Sequence, residues 1–398
     1  MTPKKKLKTL QAKRLNLLQL HKIIDSFVSR LVLIGIFFMS SPLHGTTLRK
    51  EFLRGDTVIY RLEQQSFINR YFLIDHPDIR PLLAFPEVIG FDCYTALVQA
   101  TAGTLPALLP NAHQSGIDIF SILRGGLNYP LEEAAHRSGI PVRYMHFVSC
   151  ERIIQNKEIL GLDVRYQKIT PSPDRIIAIG DILATGDTLR RCLEHLVMEF
   201  EAFGGSIRKI ILFTIGGTRA IELMEELTPQ IRQRFPAFEG FDCCFYEGVF
   251  TVYTGKGVSG INTPNIDFGW KGGIVAPEFR TFICEHRDAL LEKCIIYDGG
   301  ARRYEIPLHL EEVLEYWNGI LNRADIIDVK ALVQEKLGYD GPLSYEDWLT
   351  ATALRGLGDF HALWYLENNM LENLPDLKDL AIRRINSINQ LKYRYEDK

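Results

Sequence analysis

The sequence predicts an α/β fold: a doubly wound, mostly parallel five-stranded sheet followed by a C-terminal helical domain. Short β-rich apolar runs alternate with helical patterns between residues 116 and 253. Such alternation is typical of parallel strands joined by helical crossovers. From Ile306 to the end, apolar residues recur at helical spacing instead. The composition, 46% hydrophobic and 24% charged over 398 residues, is that of a globular protein.

Five apolar runs predict the strands. They are Ile117–Ile122, Pro141–Val148, Arg175–Ile179, Lys209–Ile215 and Asp242–Val252. The third run is almost entirely apolar, as in a strand buried on both faces. The helices predicted around these strands are Glu87–Leu108, Pro130–Ser138, Thr188–Phe203 and one starting at Thr218. The amphipathic stripes of the C-terminal domain are Leu308–Leu321, Tyr345–Leu354, Phe360–Leu371 and Leu377–Leu391.

The N-terminal segment differs from the rest of the chain. A basic stretch, Lys4–Lys8, precedes an apolar run, Leu31–Met39, and small or polar residues follow to Gly45. This order is similar to a secretory signal, and the run is too short to span a bilayer. An export signal, a membrane-surface anchor and a non-native extension all stay open, and we favour the extension. The predicted divisions are 1–48 (extension), 49–304 (α/β domain) and 305–398 (helical domain).

Charge and cysteine content limit the partners. The net charge of −3 gives no reason to expect nucleic acid or an anionic membrane as a partner. The seven cysteines are odd in number and include no CxxC pair, which argues against a disulfide framework or a structural zinc site. We therefore expect a cytoplasmic protein with reduced thiols, no bound structural metal and no stable membrane span.

The segment 175–189 has the pattern of an anion site. A buried strand is expected to end at Gly180–Asp181, and a helix is expected to begin near Thr188. Ligands of open α/β sheets bind at the carboxyl ends of the strands, where a helix start presents backbone N–H groups. Gly186 would let the backbone approach a ligand closely. The residues expected to bind it are Asp181, Ala184, Thr185, Gly186, Asp187 and Thr188.

A hydrophobic strand, an acidic residue and Ala-Thr-Gly-Asp-Thr resemble the signature with which type I phosphoribosyltransferases bind phosphoribosyl pyrophosphate (PRPP). The resemblance implies that Ala184 to Thr188 bind the 5′-phosphate and that Asp181 holds a ribose hydroxyl. The family usually has two adjacent acidic residues, but here the first position is Gly180. The missing charge-assisted bond would cost about 1.5–3 kcal/mol of ribose affinity.

Two further segments fit the resemblance. The stretch Ser121–Leu127 lies where the family binds pyrophosphate, so Arg124 and Gly125 are candidate ligands, with a plain turn as the alternative. The connection Cys150–Asp174 lies where the family has a mobile lid, so Lys157 and Arg165 are candidates for stabilising the departing pyrophosphate. The alternative there is a solvated charged hairpin.

The uracil branch of the family is the most similar, on Ile122–Leu127 and Tyr166–Pro171. The acceptor would bind at Tyr253–Pro277, where Phe268 and Trp270 are candidates for stacking on a base, or at Thr57–Pro86. An ordered structural loop is the alternative for the first segment.

The activity implied is displacement of pyrophosphate from PRPP by a nitrogen acceptor, a nucleobase, with Mg²⁺ bound through PRPP. Asp181, Arg124, Lys157 and Arg165 would be catalytic, and the protein would act as a homodimer. Two other classes stay open. One is a PRPP- or nucleotide-binding regulator without turnover, and the other is an interaction protein that uses the α/β part as a scaffold.

Overall fold

The computed structural model describes residues 43–111, 115–123, 125–155, 158–253, 257–261, 267–292 and 301–395. Within them, ten strands form one mixed sheet in the order β1-β2-β3-β9-β8-β7-β4-β5-β6, and β10 pairs with β9. The strands are β1 (Thr47–Arg54), β2 (Thr57–Glu63), β3 (Arg70–Asp75), β4 (Ile117–Leu123), β5 (Val142–Gln155), β6 (Glu158–Lys168), β7 (Arg175–Leu183), β8 (Ile207–Gly217), β9 (Gly240–Tyr253) and β10 (Asp267–Val275).

Helices precede, connect and follow these strands. Those of the α/β part are α1 (Ile79–Ala84), α2 (Gly90–Leu108), α3 (Leu131–Arg137), α4 (Asp187–Ala202), α5 (Thr218–Arg234) and α6 (Pro277–Glu285). The C-terminal helices are α7 (Ile306–Arg323), α8 (Val329–Leu337), α9 (Tyr345–Thr352), α10 (His361–Glu372) and α11 (Leu377–Tyr395). Short 3₁₀ turns occur at Gly126–Asn128, Arg287–Leu291 and Ala301–Tyr304.

The α/β class is as predicted, but the prediction of a five-stranded, mostly parallel sheet is wrong in number and in type. Six adjacent strands, from β3 through β9, β8, β7 and β4 to β5, are parallel. The pairs β1–β2, β2–β3, β5–β6 and β9–β10 are antiparallel. Antiparallel neighbours need only a hairpin and no helical crossover. The alternation of strand and helix patterns therefore did not reveal them.

Strand β7 is longer than its apolar run. Its pairing with β8 continues through Gly180, Asp181 and Leu183, which lie opposite Phe213, Thr214 and Gly216. The prediction that the strand ends at Gly180–Asp181 is therefore wrong. Helix α4 has the predicted apolar stripe, and all six of its members are buried. They are Leu189, Cys192, Leu193, Leu196, Val197 and Phe200.

The C-terminal helices are fastened to the sheet through a buried ion pair. Arg280 of α6 donates to Glu367 of α10 at 3.0 Å, and both side chains are almost fully buried. Tyr339 and Trp348 donate to the other carboxylate oxygen of Glu367, each at 2.8 Å. The Arg280 guanidinium also lies 4.8 Å from the ring centre of Trp270 on β10. A buried ion pair with several hydrogen bonds favours one arrangement of the elements that supply its partners.

Residues 45–398 form one compact unit. The three predicted divisions of the chain stay predictions, and residues 1–42 of the N-terminal segment lie outside the described residues. In the described part of the chain, no helix combines the length and the apolar character needed to cross a bilayer.

Candidate functional site

The loop between β7 and α4 occupies three residues, Ala184–Gly186, at the carboxyl end of a central parallel strand. Gly186 has a φ of +76° and is the N-cap of the sixteen-residue helix α4, whose first residue is Asp187. The first-turn amides of a helix have no intrahelical acceptors, so this helix start can bind an anion. Thr185 and Asp187 are exposed, and Thr188 is half-buried in the first turn. The structure therefore brings the predicted phosphate-binding residues together around one helix start.

Asp181 is half-buried and precedes this loop on β7. One oxygen of its carboxyl accepts a hydrogen bond from the backbone N–H of Ile182 at 2.9 Å. Burial raises the pKa of the Asp181 carboxyl to about 7. At neutral pH the group is consequently divided between its acid and its ionised form. The ionised form can accept hydrogen bonds from two hydroxyls.

Gly180 has no room for a side chain. A Cβ atom added there would overlap the carbonyl oxygen of Leu127 and lie 2.5 Å from its carbonyl carbon. The Gly180 N–H donates to the side-chain oxygen of Asn128 at 2.9 Å. The backbone of the turn after β4 thus fills the space that a side chain at position 180, the first position of the predicted signature, would need.

Asn128 closes the turn that follows β4. It is 5% exposed, and its amide nitrogen lies 3.4 Å from the carbonyl oxygens of both Ile122 and Gly125. A Cβ atom on Gly125 would lie 2.9 Å from the backbone carbonyl oxygen of Ile122, so this position also favours glycine. Arg124 lies outside the described residues. Asn128 joins the ends of two adjacent strands, and the sequence pattern alone did not single it out.

The predicted lid region is a β-hairpin formed by β5 and β6. Strand β5 pairs with β4 up to Ser149, and its pairing with β6 is irregular between Ser149 and Cys150. The hairpin therefore continues beyond the end of β4. Arg165 is exposed on β6 and pairs with Asp163 at 3.1 Å, while Lys157 lies outside the described residues.

Arg219 is a cation beside the loop that the sequence analysis did not select. It lies in the first turn of α5, and its Nε is 3.4 Å from the carbonyl oxygen of Thr185. It also forms ion pairs with Glu222 at 3.0 Å and Glu226 at 2.8 Å. Because β8 is adjacent to β7 in the sheet, the helix that follows β8 begins next to the helix that follows β7. Only the order of strands in the sheet could have identified Arg219, since it belongs to no sequence motif.

The two predicted acceptor segments belong largely to the sheet. Phe268 and Trp270 lie on β10 and are only 6% and 7% exposed, so their rings are part of the core. The segment 57–86 contains β2, β3 and α1. Asn262 and Asn265, the side chains of the first segment that could hydrogen-bond to the edge of a base, lie outside the described residues. In the described part of the chain, no group of three or more His, Cys, Asp or Glu side chains is arranged to hold a metal ion.

Comparisons with known proteins give similar solved structures only. No family model matches the chain, and no curated protein matches it. A hypoxanthine phosphoribosyltransferase from Staphylococcus aureus is similar at 19% identity and a TM-score of 0.24, over 30% of this chain and 62% of that one. A hypoxanthine-guanine phosphoribosyltransferase from Bacillus anthracis is similar at 16% identity and 0.25, over 32% and 70%. A protein from Aquifex aeolicus is similar at 17% identity and 0.30, over 44% and 86%.

The matched part of this chain spans under two thirds of the Staphylococcus aureus protein. Two of these three neighbours are phosphoribosyltransferases that act on hypoxanthine according to their names, whereas the predicted nearest branch is the uracil one. That prediction of the branch stays a prediction. The function proposed below rests on the geometry of this chain.

Proposed function

We propose that the chain binds PRPP at the β7–α4 loop and transfers its phosphoribosyl group to a nitrogen acceptor, releasing pyrophosphate. One observation supports this most directly: β4 and β7 are adjacent strands, each is followed by a glycine-containing turn, and Asn128 in the turn after β4 accepts a hydrogen bond from the Gly180 N–H near the end of β7. One turn would bind the 5′-phosphate and the other the pyrophosphate. A substrate with two phosphate groups separated by a ribose needs two such anion sites side by side.

Each part of the site would have a defined task. The first-turn amides of α4 and the hydroxyls of Thr185 and Thr188 would bind the 5′-phosphate through charge-assisted hydrogen bonds. Ionised Asp181 would accept a hydrogen bond from a ribose hydroxyl. Arg124 would bind the pyrophosphate, and the β5–β6 hairpin, with Lys157 and Arg165, would close over it and exclude water. Catalysis would then consist mainly of positioning and charge stabilisation.

Mg²⁺ fits this site as a ligand of PRPP rather than of the protein. The steric conflict at Gly180 leaves Asp181 as the one carboxylate that β7 contributes at the ribose position. Asp181 would help to hold the ion through the ribose oxygens, and the bound ion would supply positive charge near the pyrophosphate.

The acceptor would be a nucleobase. The likeness of Ile122–Leu127 to the uracil branch makes uracil the first base to test, with hypoxanthine and guanine next. A panel of free bases, incubated with the full chain, PRPP and Mg²⁺, would be assayed for released pyrophosphate. Turnover with one base and none without a base is the expected result.

Binding is tested separately by titration calorimetry with PRPP and Mg²⁺. Thr185→Ala removes one hydroxyl donor to the phosphate, so PRPP affinity should fall by roughly tenfold, corresponding to about 1.4 kcal/mol. Asp181→Asn should weaken binding by a similar factor. Asp174→Asn is the matched control, because Asp174 lies just before β7 at the opposite end of the sheet. Unchanged PRPP affinity in both site variants would show that PRPP does not bind at this loop.

A second candidate is a PRPP- or nucleotide-binding regulator without turnover. It is favoured by the filled space at Gly180 and by the raised pKa of Asp181, which together reduce the ionised carboxylate available to the ribose. Saturable PRPP binding without pyrophosphate release from any base would support this candidate over the enzyme. Absence of binding would instead favour the interaction protein.

A further inference from the structure

Two cysteine thiols lie in contact where the hairpin leaves the parallel sheet. The Sγ atoms of Cys150 on β5 and Cys192 on α4 are 3.4 Å apart. Cys150 is half-buried, and Cys192 is buried among the apolar residues of α4. The cysteines are 42 positions apart in sequence, so their proximity is a product of the fold. The remaining described cysteines, Cys93, Cys243, Cys244 and Cys284, are buried.

The geometry allows a covalent bond between these two sulfur atoms. A disulfide bond is about 2.05 Å long, so the sulfur atoms must approach by a little over ~1 Å. Side-chain rotation at Cys150 can supply part of this movement, and the irregular pairing between Ser149 and Cys150 interrupts the ladder that would otherwise hold the backbone. Partial exposure of Cys150 gives an oxidant access to its sulfur atom, whereas the sulfur atom of Cys192 is buried.

We propose that Cys150 and Cys192 form a reversible disulfide that links the β5–β6 hairpin to helix α4 when the protein reacts with hydrogen peroxide. The Cys150 thiolate attacks one peroxide oxygen, so that an S–O bond forms, the O–O bond breaks and hydroxide leaves. The Cys192 sulfur then attacks the Cys150 sulfur. The S–S bond forms, the S–O bond breaks, and the departing hydroxide takes the Cys192 proton and leaves as water. Two electrons pass from the thiols to the peroxide.

The local environment shifts the pKa values of the two thiols in opposite directions. The hydrogen bond with Cys192 lowers the pKa of Cys150, which favours the thiolate that attacks the peroxide. The same hydrogen bond and burial raise the pKa of Cys192, which therefore remains a protonated thiol until the second step. This is the arrangement of a reactive cysteine and a resolving cysteine.

The bond would connect two parts of the candidate site. Cys192 lies in the second turn of α4, whose first turn follows the loop Ala184–Gly186, and Cys150 lies at the base of the hairpin. Oxidation would therefore restrict movement of the hairpin relative to that loop. The cross-link itself does not depend on the proposed function, whereas any effect on PRPP binding does.

The test uses the full reduced chain, treated with hydrogen peroxide, alkylated under denaturing conditions and digested. The expected result is a linked pair of peptides containing Cys150 and Cys192, the loss of two alkylatable thiols, and recovery of both after reduction. The cross-link closes a long loop, so the thermal midpoint should rise by roughly 5 °C and return on reduction. Hydrogen exchange in β6 should slow in the oxidised form.

Three variants control the test. Cys150→Ser should abolish the linked pair and the rise in the thermal midpoint. In Cys192→Ala, Cys150 should be oxidised to sulfenic and then sulfinic acid because its resolving partner is gone. Cys93→Ser, at a buried position on α2, should cross-link like the original chain. Retention of both thiols after peroxide treatment, sulfinic acid at Cys150 of the unaltered chain, or a disulfide between other cysteines would each overturn the proposal.

Discussion

Two aspartates at opposite ends of neighbouring strands have opposite environments. Asp118, at the start of β4, is completely buried and receives two hydrogen bonds from Arg175, at 2.9 and 2.5 Å. His146 lies 3.2 Å from the same carboxylate. Asp181, near the end of β7, has a hydrogen bond from one backbone N–H. Asp118, at the amino end of the parallel strands, thus accepts several hydrogen bonds from side chains. Asp181, at their carboxyl end, accepts one from the backbone.

The pKa values follow from this difference. Burial opposes ionisation of Asp118, but hydrogen bonds from His146 and Arg175 outweigh it and lower the pKa of that carboxyl. Burial raises the pKa of Asp181, and the hydrogen bond from the Ile182 N–H offsets this effect only in part. The oxygens of a structural carboxylate accept hydrogen bonds from groups of the protein itself. A carboxylate that binds a ligand must have acceptor positions that the protein does not occupy. The comparison therefore assigns stability to Asp118 and supports the proposal that Asp181 binds a ligand.

The largest expected effect is loss of stability in Asp118→Asn. The substitution removes the charge that Arg175 and His146 face in the interior, and breaking a buried ion pair costs about 3–5 kcal/mol. Urea unfolding at pH 7 measures the change in the free energy of unfolding. Asp181→Asn is the matched variant, and it should not lower that free energy, because it removes a carboxyl whose ionisation is opposed by burial. Similar losses in the two variants would remove the distinction between the aspartates.

A smaller loss is expected from Gly180→Ala at the carboxyl end. The added methyl group would overlap the Leu127 carbonyl, so the turn after β4 must move, at a cost of about 1–3 kcal/mol. PRPP affinity should fall as well, because Asn128 would lose its contact with β7. Gly204→Ala is the control: it has open space around it and a φ of +73°, so only backbone strain of about 1 kcal/mol is expected. A lower cost at Gly180 than at Gly204 would mean that the turn adapts freely.

The sequence predicted the carboxyl end of β7 better than its surroundings. An apolar run followed by Ala184, Thr185 and Gly186 is a local pattern, and local patterns can be recognised in one chain. The contributions of Asn128 and Arg219 depend on which strands are adjacent and in what register, and no local pattern contains that information. The continuation of β7 through Gly180 was missed for the same reason. A glycine interrupts the apolar pattern of a strand, but it does not interrupt the hydrogen bonds to the neighbouring strand.

The sheet edges were missed for a related reason. Strands β1 to β3 precede the first βα unit, and β10 lies in the Gly-rich segment 253–277. Glycine is uncommon in strands, so Gly272 and Gly273 favoured a loop prediction there. The pairing of β10 with β9 shifts register between Gly269 and Ile274, which is how a strand tolerates such residues. The C-terminal stripes were identifiable because amphipathic spacing persists over several turns.

The sharpest test of the comparison is the pH dependence of stability. An aspartate in an unfolded chain has a pKa of about 4. The folded-state pKa of Asp181 is about 7, so between about pH 4 and pH 7 the unfolded state releases a proton that the folded state keeps. Asp181 therefore lowers the stability progressively as the pH rises through this range. Asp118 has the opposite sign: its contribution is present above about pH 4 and is lost as the pH falls through its lowered folded-state pKa.

Urea midpoints measured from about pH 3 to pH 8 separate the two contributions. The difference between the original chain and Asp181→Asn should change mainly between about pH 4 and pH 7, with the original chain losing stability relative to the variant as the pH rises. The corresponding difference for Asp118→Asn should change below about pH 4, with the original chain losing its advantage as the pH falls. If the Asp181 difference is instead flat across the neutral range, its carboxyl ionises normally. Asp181 would then be an ordinary solvated carboxylate, and the raised pKa would no longer distinguish the two ends of the sheet.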